Sequence, residues 1–155
     1  MRNSTEYEDC YITRSKSCDA AELYSNLRKA DIDECFGLGV HPREACLGSV
    51  GNGDKSFTMR SYEDDNPLIA CFGVGHQLPN VGCIWMLGTD RVKSVSTTFL
   101  RHSREWVQYL IEGYDYVSNI VSVKNAVSIR WLKWVGAEFI KNYPQGYQEF
   151  IIRRN

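Results

Sequence analysis

Apolar and polar residues alternate in YEDCYITRS at residues 7–15, the period of a half-buried strand, and the chain then turns at Ser15 to Ser17. The period changes over residues 19–39. There Ala20, Leu23, Leu27, Ala30 and Ile32 recur at helical spacing, Asp31 and Asp33 mark a break, and Gly37 and Gly39 end the run. Pro42 suits the first turn of another short helix, after which Gly48, Gly51 and Gly53 form a flexible passage into the strand SFTMRSY and the acidic turn EDDNP. NPLIACFGVG and NVGCIWMLG are the most apolar runs, separated only by HQLPN, and read as a hairpin of central strands covered on both faces. Between residues 94 and 112, Phe99, Leu100, Ser103, Trp106, Val107, Leu110 and Ile111 make one stripe on the longest helix. YDYVSNIVSVKN supplies a strand over 116–123. Strand 81–87, helix 94–112 and strand 116–123 therefore form a βαβ unit with a right-handed crossover and a parallel pair. A helix over 126–135 and a hairpin of AEFIKNY and YQEFIIR around Pro144-Gln145-Gly146 complete the order. With no repeat or linker, the expectation is one α+β domain spanning residues 1–155.

Composition narrows the function. A chain of 155 residues can bury a self-sufficient core. Lys+Arg of 18 against Asp+Glu of 19 leaves a net charge of -1, so no global field draws in nucleic acid or an anionic membrane. No apolar run approaches the ~20 residues of a membrane helix, and MRNSTEYEDC lacks the apolar stretch of a signal peptide. These features predict a protein that is soluble and cytoplasmic when made. The six cysteines include no CxxC pair and read as reduced thiols, with Cys71 and Cys83 inside apolar strands. His41, His76 and His102 are isolated, so no metal is expected.

The stretch NAVSIRWLKWVGAEF, from Asn125 to Phe139, carries the most specific signal. Asn125, Ser128, Trp131, Leu132, Gly136, Ala137 and Phe139 resemble the signature of the Gcn5-related N-acetyltransferase (GNAT) superfamily: a strand ending at Asn, a helix with a small residue three places on, and a Gly opening the next strand. The stretch is most similar to the internal virion protein A family of podoviruses, phage proteins of GNAT-like fold. The resemblance implies a mixed, mostly antiparallel sheet with one parallel βαβ unit, flanked by helices and closed by a C-terminal hairpin. It also implies that Leu87, Gly88, Thr89, Ser94, Ser96 and Asn125 are the positions where an acyl-CoA would bind, between parallel strands that splay apart to admit its pantetheine arm.

Two departures from the enzymes argue against catalysis. Active members seat a pyrophosphate in a Gly-rich turn whose bare N–H groups bind phosphate. Here that turn reads LGTDRVKSVSTTFL, with only Gly88 at the strand end and Asp90 adding negative charge. Arg91, Lys93, Ser94 and Ser96 offer donors, but a helix cap at Ser94 or Ser96 and a solvated basic face account for them more simply. The position where many members place an acidic Tyr is Leu132, which has no proton to give; such assistance is worth ~10²–10⁴ in rate. Tyr143, Tyr147, Tyr114 and His76 are imaginable replacements, and Glu138 is the nearest carboxylate, with pairing to a lysine as its simpler role. No catalytic residue can be assigned. Asn125 reads first as a helix N-cap. Trp131 and Trp134, three apart, cannot both be core, so one should reach the surface as an interface anchor. The expectation is a phage protein without a required cofactor, acting in virion morphogenesis, in the virion interior or on a host protein, and located in the host cytoplasm or the virion. The alternative is an active acetyl-CoA-dependent N-acetyltransferase with a divergent cofactor loop.

Overall fold

The two most apolar runs form the central hairpin of the sheet, β4 (Leu68–Leu78) and β5 (Val81–Gly88), in a computed structural model that describes residues 4–52 and 55–155. Only Pro79 and Asn80 separate the strands. Leu78 pairs with Val81, and Asn80 sits at φ 66°, a left-handed conformation that asparagine tolerates. The hairpin is thus longer than expected, because His76 to Leu78 continue the ladder through a bulge instead of joining the loop.

Around it the chain adds β1 (Ser4–Glu6), β2 (Cys10–Arg14), α1 (Asp19–Ser25), α2 (Lys29–Gly37), α3 (Pro42–Asn52) and β3 (Lys55–Ser61) before it, then a 3₁₀ helix (Asp90–Val95), α4 (Ser96–Ile111), β6 (Tyr116–Ser122), α5 (Ala126–Trp134), β7 (Glu138–Tyr143) and β8 (Tyr147–Arg153) after it. The sheet runs β1-β2-β3-β4-β5-β6-β8-β7, antiparallel throughout except for the β5–β6 pair. One face carries the larger core, where Phe57, Phe72 and Val117 of the strands meet Trp106, Val107 and Leu110 of α4 and Leu132 of α5. The other face meets α1 and α3 through Ala20, Leu23, Cys46, Val50 and Cys71. The mixed α+β architecture, the parallel pair and the terminal hairpin match expectation.

Three local expectations are corrected. The first strand is a hairpin, β1 and β2, with Ser4 facing Thr13. The break in the first helical region falls at Asn26 to Arg28, not at Asp31 and Asp33: Leu27 bridges Thr89, and Arg28 is extended with its N–H on the Gly88 carbonyl at 2.9 Å. That tertiary pairing pulls the chain out of the helix and leaves Asp31 inside α2. Finally, α3 runs through Gly48 and Gly51, each of which costs a helix about 1 kcal/mol, because Cys46 and Val50 anchor it to the core. Gly53 lies outside the described residues. The cysteines are free, and four of them are buried. No helix among the described residues is long and apolar enough to cross a membrane.

Candidate functional site

The site begins where the parallel ladder stops. β5 and β6 pair only from Val81↔Tyr116 to Cys83↔Ser118, although β5 continues to Gly88 and β6 to Ser122. Beyond Cys83 the strands part. Ile84, Trp85 and Met86 on one lip and Asn119, Ile120 and Val121 on the other line a cavity of about 150 Å³, the slot that the resemblance implies. Buried main-chain groups released from a ladder need new partners. Asn119 supplies one: its Nδ2 donates to the Ile84 carbonyl at 2.6 Å, while its Oδ1 accepts the Ile120 N–H at 2.7 Å.

The far end of β5 is held by α2. The buried Asp31 carboxylate accepts the Gly88 N–H at 2.8 Å and is itself paired with Arg28, Nε to Oδ2 at 2.7 Å. Three residues on, Glu34 reaches the other lip, where its Oε2 accepts from Asn125 Nδ2 at 3.3 Å. Burial pushes the Glu34 carboxyl above the usual carboxylate range, with Asp31 adding to the rise and Asn125, the Ser122 amide and Arg28 opposing it. The sign follows. A carboxylate with a raised folded pKa stabilises the fold below the ordinary carboxylate range, and that contribution is lost as pH rises through the raised value. Glu34→Gln, which keeps an acceptor for Asn125, is therefore expected to raise the thermal midpoint at pH 7, with the gain vanishing in acid. A lower midpoint at pH 7 would mean that the ionised bonds outweigh burial.

Asn125 has the expected cap role: its Oδ1 accepts the Ser128 N–H at 3.2 Å. It is also the only one of the six predicted site residues in the cavity wall. Asn125→Ala removes the cap and the Glu34 contact together and is expected to cost about 1–2 kcal/mol in urea unfolding; no loss would show that Ser128 and Glu34 find other partners. Leu87 packs on the opposite face with the α1–α3 core. Gly88 spends its N–H on Asp31, and a Cβ there would lie 2.9 Å from Val92, so bulky substitutions at 88 disturb packing as well as any ligand. Thr89 donates to the Leu68 and Ile69 carbonyls and accepts the Arg91 N–H, capping the 3₁₀ helix. Ser94 and Ser96 are exposed, and neither caps α4: Ser94 donates to the Arg91 carbonyl, and Val95 holds the cap position without a side-chain bond. Arg91 pairs with Glu63 at 2.6 Å instead of facing solvent alone.

The remaining wall is aromatic. Tyr7 stacks on His102 at 4.2 Å and its hydroxyl accepts from Trp106 Nε1 at 2.9 Å; all three line the cavity. Trp131 packs on Phe99 at 5.4 Å, and its Nε1 is buried without a partner. Trp134 is the exposed one of the pair, 41 % accessible, with the Arg104 guanidinium 3.7 Å from its ring. Leu132 is buried in the wall. Tyr143, Tyr147, Tyr114 and His76 lie outside the lining. Tyr143 bonds Glu149 at 2.9 Å, and Glu138 pairs with Arg153 and not with a lysine. Sequence reasoning did not single out Tyr7, Asp31, Glu34 or Asn119 as site residues, since nothing local links them to the β5–β6 pair. Among the described residues, no group of three metal-ligating side chains is assembled.

Comparison with known proteins agrees with the fold. Residues 70–144, from β4 to the end of β7, match the family described as "Bacteriophage T7, probable scaffold protein Gp13". No curated protein matches the chain. Among solved structures, a GNAT-family acetyltransferase from Bacillus anthracis superposes with a TM-score of 0.60 at 12% identity, covering 97% of this chain and 98% of that one. The ribosomal-protein-S18-alanine N-acetyltransferase from Escherichia coli gives 0.64 at 11% identity over 93% of each chain. Aminoglycoside acetyltransferase AAC(6')-Ib, solved with coenzyme A, gives 0.63 at 16% identity, covering 94% and 95%.

Proposed function

We propose that this chain, whose fold is that of the GNAT acetyltransferases, is a phage protein that uses the fold for binding in virion morphogenesis or in the virion interior, and not for acyl transfer. The observation that carries this reading is the Asp31 carboxylate on the Gly88 N–H. A main-chain donor at the strand end, where an anionic cofactor needs one, is taken by a group of the same charge as the cofactor. Leu132 in the wall offers no proton to a leaving thiolate. The likeness of residues 70–144 to a phage scaffold family supports a partner in the particle, and the exposed Trp134 is a side chain suited to such a contact. A host protein in the infected cytoplasm is the other partner class this reading admits.

The second reading, an active acetyl-CoA-dependent N-acetyltransferase, is favoured by one observation: the strands do part, and the cavity between them contains Glu34, a carboxylate with raised pKa suited to take a proton from an attacking amine. Assaying purified particles and particle precursors for this chain by mass spectrometry tests the preferred reading. Recovery with the particles is expected. A chain found only free in the lysate, with acetyl transfer to an amine in the same fraction, would replace it with the second.

A further inference from the structure

Resting on the reading above, we infer that α2 is a latch that sets two carboxylates against anionic ligands in the slot, Asp31 on the β5 lip and Glu34 on the β6–α5 lip. One helical turn separates them, so a single rigid helix spans both lips. On β5, α2 and its entry residue satisfy both groups of the last strand residue: Asp31 accepts the Gly88 N–H, and the Arg28 N–H donates to the Gly88 carbonyl. On the other lip, Glu34 bonds the same Asn125 side chain that caps α5. Arg28 neutralises only one of the two carboxylates, since its guanidinium is committed to Asp31. Two carboxylates against one guanidinium thus give the α2 side of the cavity an excess of negative charge, unfavourable to a phosphate-bearing ligand. The cavity itself is already formed. What an anionic ligand lacks there is electrostatic fit, and volume is present. Glu34 also bears a burial penalty on its charged form.

The test uses the full chain with coenzyme A as the probe, by calorimetry at pH 8. The proteins compared are the wild type, Glu34→Gln, the double variant Asp31→Asn/Glu34→Gln, and Glu138→Gln, which removes the same charge from an exposed pair on β7. The wild type and Glu138→Gln are expected to show no saturable heat, Glu34→Gln to show saturable binding, and the double variant to bind roughly tenfold or more tighter than Glu34→Gln. A double variant that melts cooperatively and still binds nothing overturns the latch alone. Should the double variant fail to fold, Glu34→Gln decides by itself: saturable binding supports the latch and its absence overturns it. An equal gain in Glu138→Gln also overturns it, because the effect would then be one of net charge. Binding by the wild type as tight as by the variants overturns both the latch and the non-catalytic reading.

Discussion

Asp19→Ala is expected to lower stability by about 3–5 kcal/mol, the usual consequence of removing one partner of a buried ion pair, and to drop the thermal midpoint by roughly 10 °C. Asp19 is only 3 % exposed at the start of α1, and three donors converge on it: the Lys16 N–H at 2.8 Å, the Thr58 hydroxyl at 2.8 Å and Arg60 Nη2 at 2.7 Å. Burial alone would raise its pKa, but the Lys16 amide, the Thr58 hydroxyl and the Arg60 charge together hold it below the usual value. The stabilisation is therefore present above the ordinary carboxylate pKa and lost as pH falls through the lowered one. Without Asp19, Arg60 keeps Glu22, at 2.9 Å, and the Asn66 carbonyl, so α1 stays tied to β3 only through the more exposed Glu22 while the buried Thr58 hydroxyl loses its acceptor. Urea unfolding at pH 7 checks the magnitude, and the gap between wild type and variant should persist at pH 5 and narrow in stronger acid. A loss under about 1 kcal/mol would mean that the site relaxes around the deletion.

Trp106→Ala is the second large effect, about 3–5 kcal/mol for a buried tryptophan. Its ring meets Phe57, Phe72 and Tyr109 edge-on at 5.1, 5.4 and 5.7 Å, and its Nε1 donates to the Tyr7 hydroxyl. Such aromatic pairs add to the area they bury. The substitution also enlarges the slot cavity and frees Tyr7, whose ring stacks on His102. Trp106→Phe should recover much of the packing but not the Tyr7 bond. Calorimetric melting of the two variants separates the terms, and equal midpoints would assign the whole effect to the hydrogen bond.

Much of the architecture was legible in hydrophobic periodicity. The Phe99 to Ile111 stripe became α4, the two apolar runs became β4 and β5, and the terminal hairpin lies where Pro144 to Gly146 placed its turn. Elements set by distant partners were not legible. Asp31 reads as a helix breaker by composition, yet it lies buried in α2 because Gly88, 57 residues away, gives it a backbone donor. The site divides in the same way. Asn125 was accessible from its place between a strand and a helix, where a cap is needed. Asn119 and Glu34 were not, since their roles exist only after β5 and β6 part and α2 docks across the opening.

The central claim is that the slot is formed but lined by carboxylates that repel an acyl-CoA. The thermal midpoint of the wild-type protein at neutral pH, with and without acetyl-CoA at ~100 times a typical dissociation constant, tests this most directly. A ligand bound only by the native state would contribute ~2.7 kcal/mol and raise the midpoint by several degrees. The account predicts no shift, because Asp31 holds the Gly88 N–H and Glu34 holds the opposite lip. A rise of several degrees would contradict it and make the chain a cofactor-binding acetyltransferase relative with an open site.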